Sequence, residues 1–257
     1  MTTEADTMAG PAGAQAVRRA LDVLHSFHDN GPDLSASDLA RRLGLSTSTA
    51  HRLAKTLLAA GFLEQDPGTA RYRLGPAVTE LGRLSYHQRR LHLAAPELRD
   101  LAERTGTTAD LALRSGSYAV IVAGGAVTPR TGLRRPLHAS ALGRVLLAWH
   151  GHGQQREREY GPGHGLADEA ATPAGGSARV REQGYVLDDG ASELGIRTLA
   201  VPVLGRDGHA RFALGLRAAP SAIPDARVGW FLAQARACAR ALEVLLLPPE
   251  ERRAPEA

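Results

Sequence analysis

Two short amphipathic stretches between Ser35 and Gly61 are separated by little more than the Gly44-Leu45 step, and this spacing constrains the fold more than any other feature of the chain. Ser35 or Ser37 can cap the first stretch, Leu39, Ala40 and Leu43 form its apolar side, and Gly44 supplies the positive φ that ends a helix. Ser46 caps the second, where Ala50, Leu53 and Leu57 recur at i, i+3 and i+7 before Gly61 closes the segment. Helices below about 12–15 residues are marginal in water unless they pack on something. A partner lies just upstream, where Ala16, Val17, Ala20, Leu21, Val23, Leu24 and Phe27 repeat at helical spacing until Asn30-Gly31-Pro32. Downstream, Phe62-Leu63-Glu64 and Arg71-Tyr72-Arg73-Leu74 flank an Asp66-Pro67-Gly68 turn and read as a β-hairpin. Three helices followed by a hairpin is the order of a winged helix-turn-helix, whose second paired helix enters the major groove of DNA.

The charges agree with that geometry. The chain carries 31 Lys+Arg against 27 Asp+Glu, a net charge of +4. From Arg41 to Arg73, six cations (Arg41, Arg42, Arg52, Lys55, Arg71 and Arg73) stand against Glu64 and Asp66, so this window alone holds a surplus of four. Ser48, His51, Arg52 and Lys55 fall at i, i+3, i+4 and i+7, on one face away from Ala50, Leu53 and Leu57. Thr47, Ser48 and Thr49 occupy the first turn, where short hydroxyls reach base edges or phosphates and the helix N-terminus favours the anion. Arg52 is the leading phosphate or guanine contact. Alternation along the wing strand aims Arg71 and Arg73 one way, toward the adjacent backbone or minor groove.

Residues 1–13 and 248–257 read as tails, which leaves 14–75 as the winged-helix domain. Val78, Leu81 and Leu84 give 76–88 a helical stripe too small for a private core, so 76–90 reads as a linker helix that pairs with its copy in a second chain. Residues 91–247 combine a helical start with strand candidates at 109–114, 118–123, 199–204 and 212–217, and a last helix from about 225 to 247 built on Val228, Phe231, Leu232, Ala235, Leu242 and Leu245. The fold class is therefore α+β. Glycine, histidine and proline interruptions make 150–178 a loop region.

A hydrophobic fraction of 43% with 23% charged residues is that of a globular chain. No apolar run approaches the roughly 20 residues of a membrane helix, and the acidic N-terminus is unlike a secretory signal, so a cytoplasmic home is expected. Cys238, the single cysteine, excludes an intrachain disulfide and a multi-cysteine zinc site. His150, His152 and His164 lie in a glycine-rich stretch without a cysteine and read as residues of a solvated loop, so no metal site is expected. GxSxG, HExxH, GxxxxGK[ST] and GxGxxG motifs are all missing, so no enzyme and no cofactor are expected.

The runs AVRRALDVLHSF, LSASDLARRLGLSTSTAHRLAKTLLAAGFLEQD and YRLGPAVTELG, followed by PLHASALGRVLLA (136–148), GYVLDD (184–189) and LGIRTLAVPV (194–203), resemble the isocitrate-lyase-regulator (IclR) family of bacterial transcription factors over about residues 15–247. The resemblance implies an N-terminal winged helix, a linker helix and a C-terminal GAF/PAS-like effector-binding domain. It implies a homodimer or dimer of dimers on palindromic double-stranded operators; repression is the expected mode ahead of activation, a choice that no residue pattern decides. It also implies a small-molecule pocket at Val127, Arg135, Ala141, Leu142, Asp188 and Thr198, with Leu216 and Arg217 on the last strand. The chain departs from the family pattern in having Arg135 where an apolar residue is usual, Ala213–Ala218 without serines, and Gly190-Ala191 where an acidic pair is common. Fewer acids and more arginines favour a small carboxylate effector held bidentately, with Arg135 pairing Asp188 until the effector arrives. Strand alternation puts Leu216 and Arg217 on opposite faces and leaves open which lines the pocket. The alternative class is an enzyme-like or binding module that uses the winged helix for protein contact, which lacks the steep salt dependence of DNA binding.

Overall fold

Local capping sets the ends of the first helices. Helix α1 (Ala12–His25) is followed by α2 (Ala36–Leu43), which opens on a capping box: Ser35 Oγ accepts from Asp38 N at 3.1 Å while Ser35 N donates to Asp38 Oδ2 at 3.1 Å. Gly44 closes α2 at φ +61°, and Ser46 Oγ accepts from Thr49 N at 3.2 Å to open α3 (Thr47–Ala59). The computed structural model describes residues 12–28, 31, 33–124, 131–150, 176–190 and 194–253, in two units, Met1–Tyr86 and His87–Ala257.

In the first unit, Val23, Leu34, Leu39, Ala50, Ala54, Leu57, Leu63 and Tyr72 form one buried cluster. Each fully buried leucine contributes about 1.5–3 kcal/mol, so this cluster supplies the packing that such short helices need. Ala54 takes the buried place expected for Leu53, which is half-buried beside it. The hairpin of β1 (Leu63–Gln65) and β2 (Tyr72–Leu74) is antiparallel. Leu34 and Tyr72 exchange both backbone hydrogen bonds at 2.8 Å, which ties the wing to the entrance of α2. Helix α4 (Pro76–Gln88) occupies the segment expected as linker helix, with no buried residue and with Leu81 and Leu84 exposed.

The second unit is a six-stranded antiparallel sheet in the order β5-β4-β3-β8-β7-β6. Its elements are α5 (Ala94–Thr105), β3 (Thr108–Ser115), β4 (Tyr118–Gly124), β5 (Arg134–Pro136), α6 (Ala141–Ala148), α7 (Gly176–Gln183), β6 (Val186–Asp189), β7 (Arg197–Leu204), β8 (Ala210–Ala218) and α8 (Val228–Leu246). One face presents Ala112, Ala119, Ile121, Val186, Ala200 and Ala213 to Leu142, Val145 and Leu146 of α6. The other presents Leu111, Leu199, Val201, Leu214 and Leu216, all buried, to α5 and α8. Among the described residues no helix is long and apolar enough to cross a membrane.

Several boundaries differ from expectation. Helix α1 begins at Ala12, inside the expected N-terminal tail. Residues 249–251 form a 3-10 turn, and Arg206 N donates to Glu251 O, Glu251 pairs Arg211, and Arg253 pairs Glu243, so 248–253 is held by long-range ion pairs invisible to composition. Strands β5 and β6, too short to show a period, were not anticipated as strands, and α7 begins inside the expected loop region, whose residues 151–175 lie outside the described residues. On α8, Cys238, Ala239 and Leu246 are buried where Val228, Leu232 and Leu245 are only half-buried.

Candidate functional site

Helix α3 turns Thr47, Ser48, His51, Arg52 and Lys55 to solvent. Thr49 is different: it is half-buried, and its hydroxyl bonds Ser46 Oγ at 2.8 Å, so it serves the helix cap. The Arg52 guanidinium has no hydrogen bond or ion pair among the described residues, which leaves all five of its donors for a ligand. Lys55 Nζ reaches across to Gln65 Oε1 on the wing at 3.0 Å. Behind this surface Tyr72, fully buried, places its hydroxyl 3.1 Å from His51 Nδ1. A buried hydroxyl is costly unless bonded, and the exposed imidazole satisfies it, so the wing strand fixes the ring of a residue on α3. Tyr72 was read only as part of a strand; nothing local in the sequence links it to His51.

The wing arginines do not behave as the alternation suggested. Arg71 lies just before β2 and donates to Asp33 Oδ1, Asp33 O and Asp38 Oδ2. Arg73 Nε donates to Glu64 Oε1 at 2.6 Å. Arg41 in turn pairs Asp38 at 2.7 Å. Asp33 and Asp38 stand just before the window counted above, and the fold returns them to it, so the local surplus over 33–73 is two, not four.

In the second unit the register settles which face of β8 belongs with the other candidates. Asp188 pairs Thr198, Thr198 pairs Arg217, and Arg217 pairs Thr108, so these four share one row on the α6 face. Leu216 points to the opposite face and is fully buried there, so it is a core residue and not part of that row. Asp188 is 5% exposed and Thr198 8%, and the Arg217 side chain is 10% exposed. Two ion pairs hold the row: Arg144 Nη2 of α6 lies 3.7 Å from Asp188 Oδ1, and Arg217 Nη1 lies 3.6 Å from Asp110 Oδ2. Asp110, fully buried on β3, escaped the sequence reading, although one carboxylate inside the apolar run Ala109–Leu113 was a signal that could have found it.

Ala141 and Leu142 start α6 on this same face, and Leu142 rests on Gly215, where a Cβ would lie 2.9 Å from Leu142 Cδ2. The glycine thus lets α6 close on the sheet beside the row. Arg135 faces α6 as well, flanking Ala119 together with Arg114, but it stands on β5 while Asp188 stands on β6. Those are the two edge strands, five spacings of roughly 4.8 Å apart across the sheet. The expected Arg135–Asp188 pair is therefore absent, and Arg144 takes that place. Val127 lies outside the described residues.

A profile described as the IclR helix-turn-helix domain matches residues 16–67, and one described as the bacterial transcriptional regulator IclR C-terminal matches 86–165 and 176–244. The chain is 34% identical over 242 residues to the HTH-type transcriptional regulator XynR of Escherichia coli K12, a match covering 89% of this chain and 95% of the relative. An IclR transcriptional regulator from Silicibacter sp. TM1040 has a similar structure, with a TM-score of 0.75, 28% identity, and coverage of 92% of this chain and 99% of that one. An IclR homologue from Microbacterium hydrocarbonoxydans, complexed with 4-hydroxybenzoate, gives a TM-score of 0.68 and 28% identity, covering 90% of this chain and 98% of that one.

Proposed function

Because the chain belongs to the IclR family of bacterial transcriptional regulators, it is a DNA-binding regulator, and we propose that α3 is its operator-reading helix, with Arg52 as the principal phosphate or guanine contact. The carrying observation is the surface formed by Ser48, His51 and Arg52, on which the Arg52 guanidinium has no other employment. Ser48 and His51 read base edges and Lys55 contacts the phosphates beside them. The operator is palindromic and is bound by a twofold dimer. Exposed apolar side chains support this: Val17 (61%) and Leu21 (51%) on α1, and Leu81 (52%) and Leu84 (57%) on α4, each a face that a second copy would cover.

The protein acts as a repressor released by a small organic acid that binds over the Asp188–Thr198–Arg217 row. Arg217 is the cation in that row and replaces Arg135 as the anchor of the carboxylate, while Thr198 supplies a hydroxyl. The relative that binds 4-hydroxybenzoate supports the ligand class. To test the DNA reading, a high-affinity duplex is selected from a random library and titrated by fluorescence anisotropy. Arg52→Ala weakens it by about 1–3 kcal/mol with an unchanged thermal melt; unchanged affinity rejects the assignment.

A further inference from the structure

The outer side of α6 borders a second feature. Between α6, α7 and the edge strand β6 lies an open groove of about 410 Å³, within the roughly 300–1,000 Å³ typical of small-molecule sites. Its polar lining is Arg144 from α6, Ser177, Arg179 and Gln183 from α7, and Tyr185 just before β6. Every one of these side chains can donate a hydrogen bond, and among the described residues no carboxylate lines the groove. Ser177, Arg179, Gln183 and Tyr185 form no side-chain hydrogen bond or ion pair among the described residues. Arg144 is held from behind by Asp188 at 3.7 Å, with 38% of its side chain exposed, so one guanidinium is oriented before any ligand arrives. The remaining wall is apolar: Leu147, Val180 and Val186.

Two arginines and three neutral donors around an apolar wall select for negative charge attached to an apolar body. In the sheet row Arg217 faces the buried Asp110, whereas in the groove Arg144 is steadied by Asp188 and Arg179 has no carboxylate partner among the described residues. We propose that the groove is a separate binding site for a small organic anion, an aromatic or branched aliphatic carboxylate, with Arg179 and Arg144 on the carboxylate and Leu147, Val180 and Val186 on the body. The site does not depend on the effector reading of the sheet row.

The test is calorimetric titration of the full chain with sodium benzoate, with benzamide and inorganic phosphate as controls. Benzoate is expected to bind with an affinity that falls at least tenfold in Arg179→Ala. Gln183→Trp, an exposed position whose indole would fill the groove without removing a charge, is expected to block it while leaving the thermal melt unchanged. Arg217→Leu is expected to retain this binding, because Arg217 faces the sheet row. Benzoate binding that survives Arg179→Ala and Gln183→Trp, or is lost only in Arg217→Leu, overturns the groove assignment, the latter while supporting the sheet row. Benzamide binding as tightly as benzoate overturns the selection for charge, and phosphate binding as tightly overturns the role of the apolar wall. Absence of any benzoate binding overturns the proposal entirely.

Discussion

Tyr72→Phe isolates the coupling between the wing and α3. The substitution keeps the fully buried ring and removes only the hydroxyl that lies 3.1 Å from His51 Nδ1. Burial pushes the phenol pKa above its ordinary value, so the hydroxyl stays protonated throughout any neutral assay. In the variant, His51 Nδ1 is left facing water, not trapped, so the stability loss is that of one net hydrogen bond, about 0.5–1.5 kcal/mol. A truncation to Ala, by comparison, removes a large aromatic core residue at about 3–5 kcal/mol. The effect on DNA is indirect: a ring that must be ordered on binding costs about 0.5–1.5 kcal/mol for an immobilised side chain, which is roughly twofold to tenfold in affinity. Anisotropy titration of the selected duplex, paired with circular dichroism melts, measures both quantities. If His51→Ala weakens binding and Tyr72→Phe leaves it unchanged, the hydrogen bond does not position the imidazole and the coupling is refuted.

Three further outcomes are expected. In a thermal-shift comparison of carboxylates with their amides, made in the Gln183→Trp background so that the groove is filled, Arg217→Leu abolishes the preference for the acid while Arg135→Leu retains it, since only Arg217 shares the row with Asp188 and Thr198; the opposite result restores Arg135 as the anchor. Leu81→Glu places a charge on the exposed stripe of α4, and light scattering at micromolar concentration is expected to show dissociation together with at least a tenfold loss of operator affinity. Cys238 is buried against α5, its sulfur 4.0 Å from Glu97 O, and burial pushes its pKa up to about 12. The native protein therefore resists thiol reagents that react at once in urea, and rapid native labelling at pH 8 contradicts that burial.

Local and long-range causes divide what could be read from the chain. Ser35, Gly44 and Ser46 act within four residues of themselves, so their roles are plain in the sequence, and the structure shows each cap bonded as expected. The row of Asp188, Thr198 and Arg217 depends on strand register, with each member placed by a partner on the next strand, and no local pattern encodes it. Linear motifs grouped Arg135 with Asp188, but a motif says nothing of strand order, and the order β5-β4-β3-β8-β7-β6 puts the two on opposite edges. Alternation alone separated Leu216 from Arg217 correctly, and only the packing of α6 on one face decided between them.

Charge was the least transferable reading, and its correction has a measurable consequence. Six cations between Arg41 and Arg73 suggested a strongly basic surface, but the Leu34–Tyr72 bridge brings Asp33 and Asp38 back beside the wing. Arg71 pairs Asp33 as a result, while Arg41 pairs Asp38 within α2 and Arg73 pairs Glu64 across the hairpin, so all three carry a carboxylate partner. An arginine already neutralised by a carboxylate releases little counterion when it meets a phosphate. If all six cations of both chains in a dimer displaced counterions, log K against log salt would have a slope of about −11; with only Arg52 and Lys55 contributing, the slope is about −4. Glu64→Gln frees Arg73 on each chain and steepens the slope to about −5, whereas Arg52→Ala makes it shallower by about 2. A wild-type slope near −11 that Glu64→Gln leaves unchanged would mean that the carboxylate pairs dissolve on DNA binding and that the wing arginines turn to the phosphates after all.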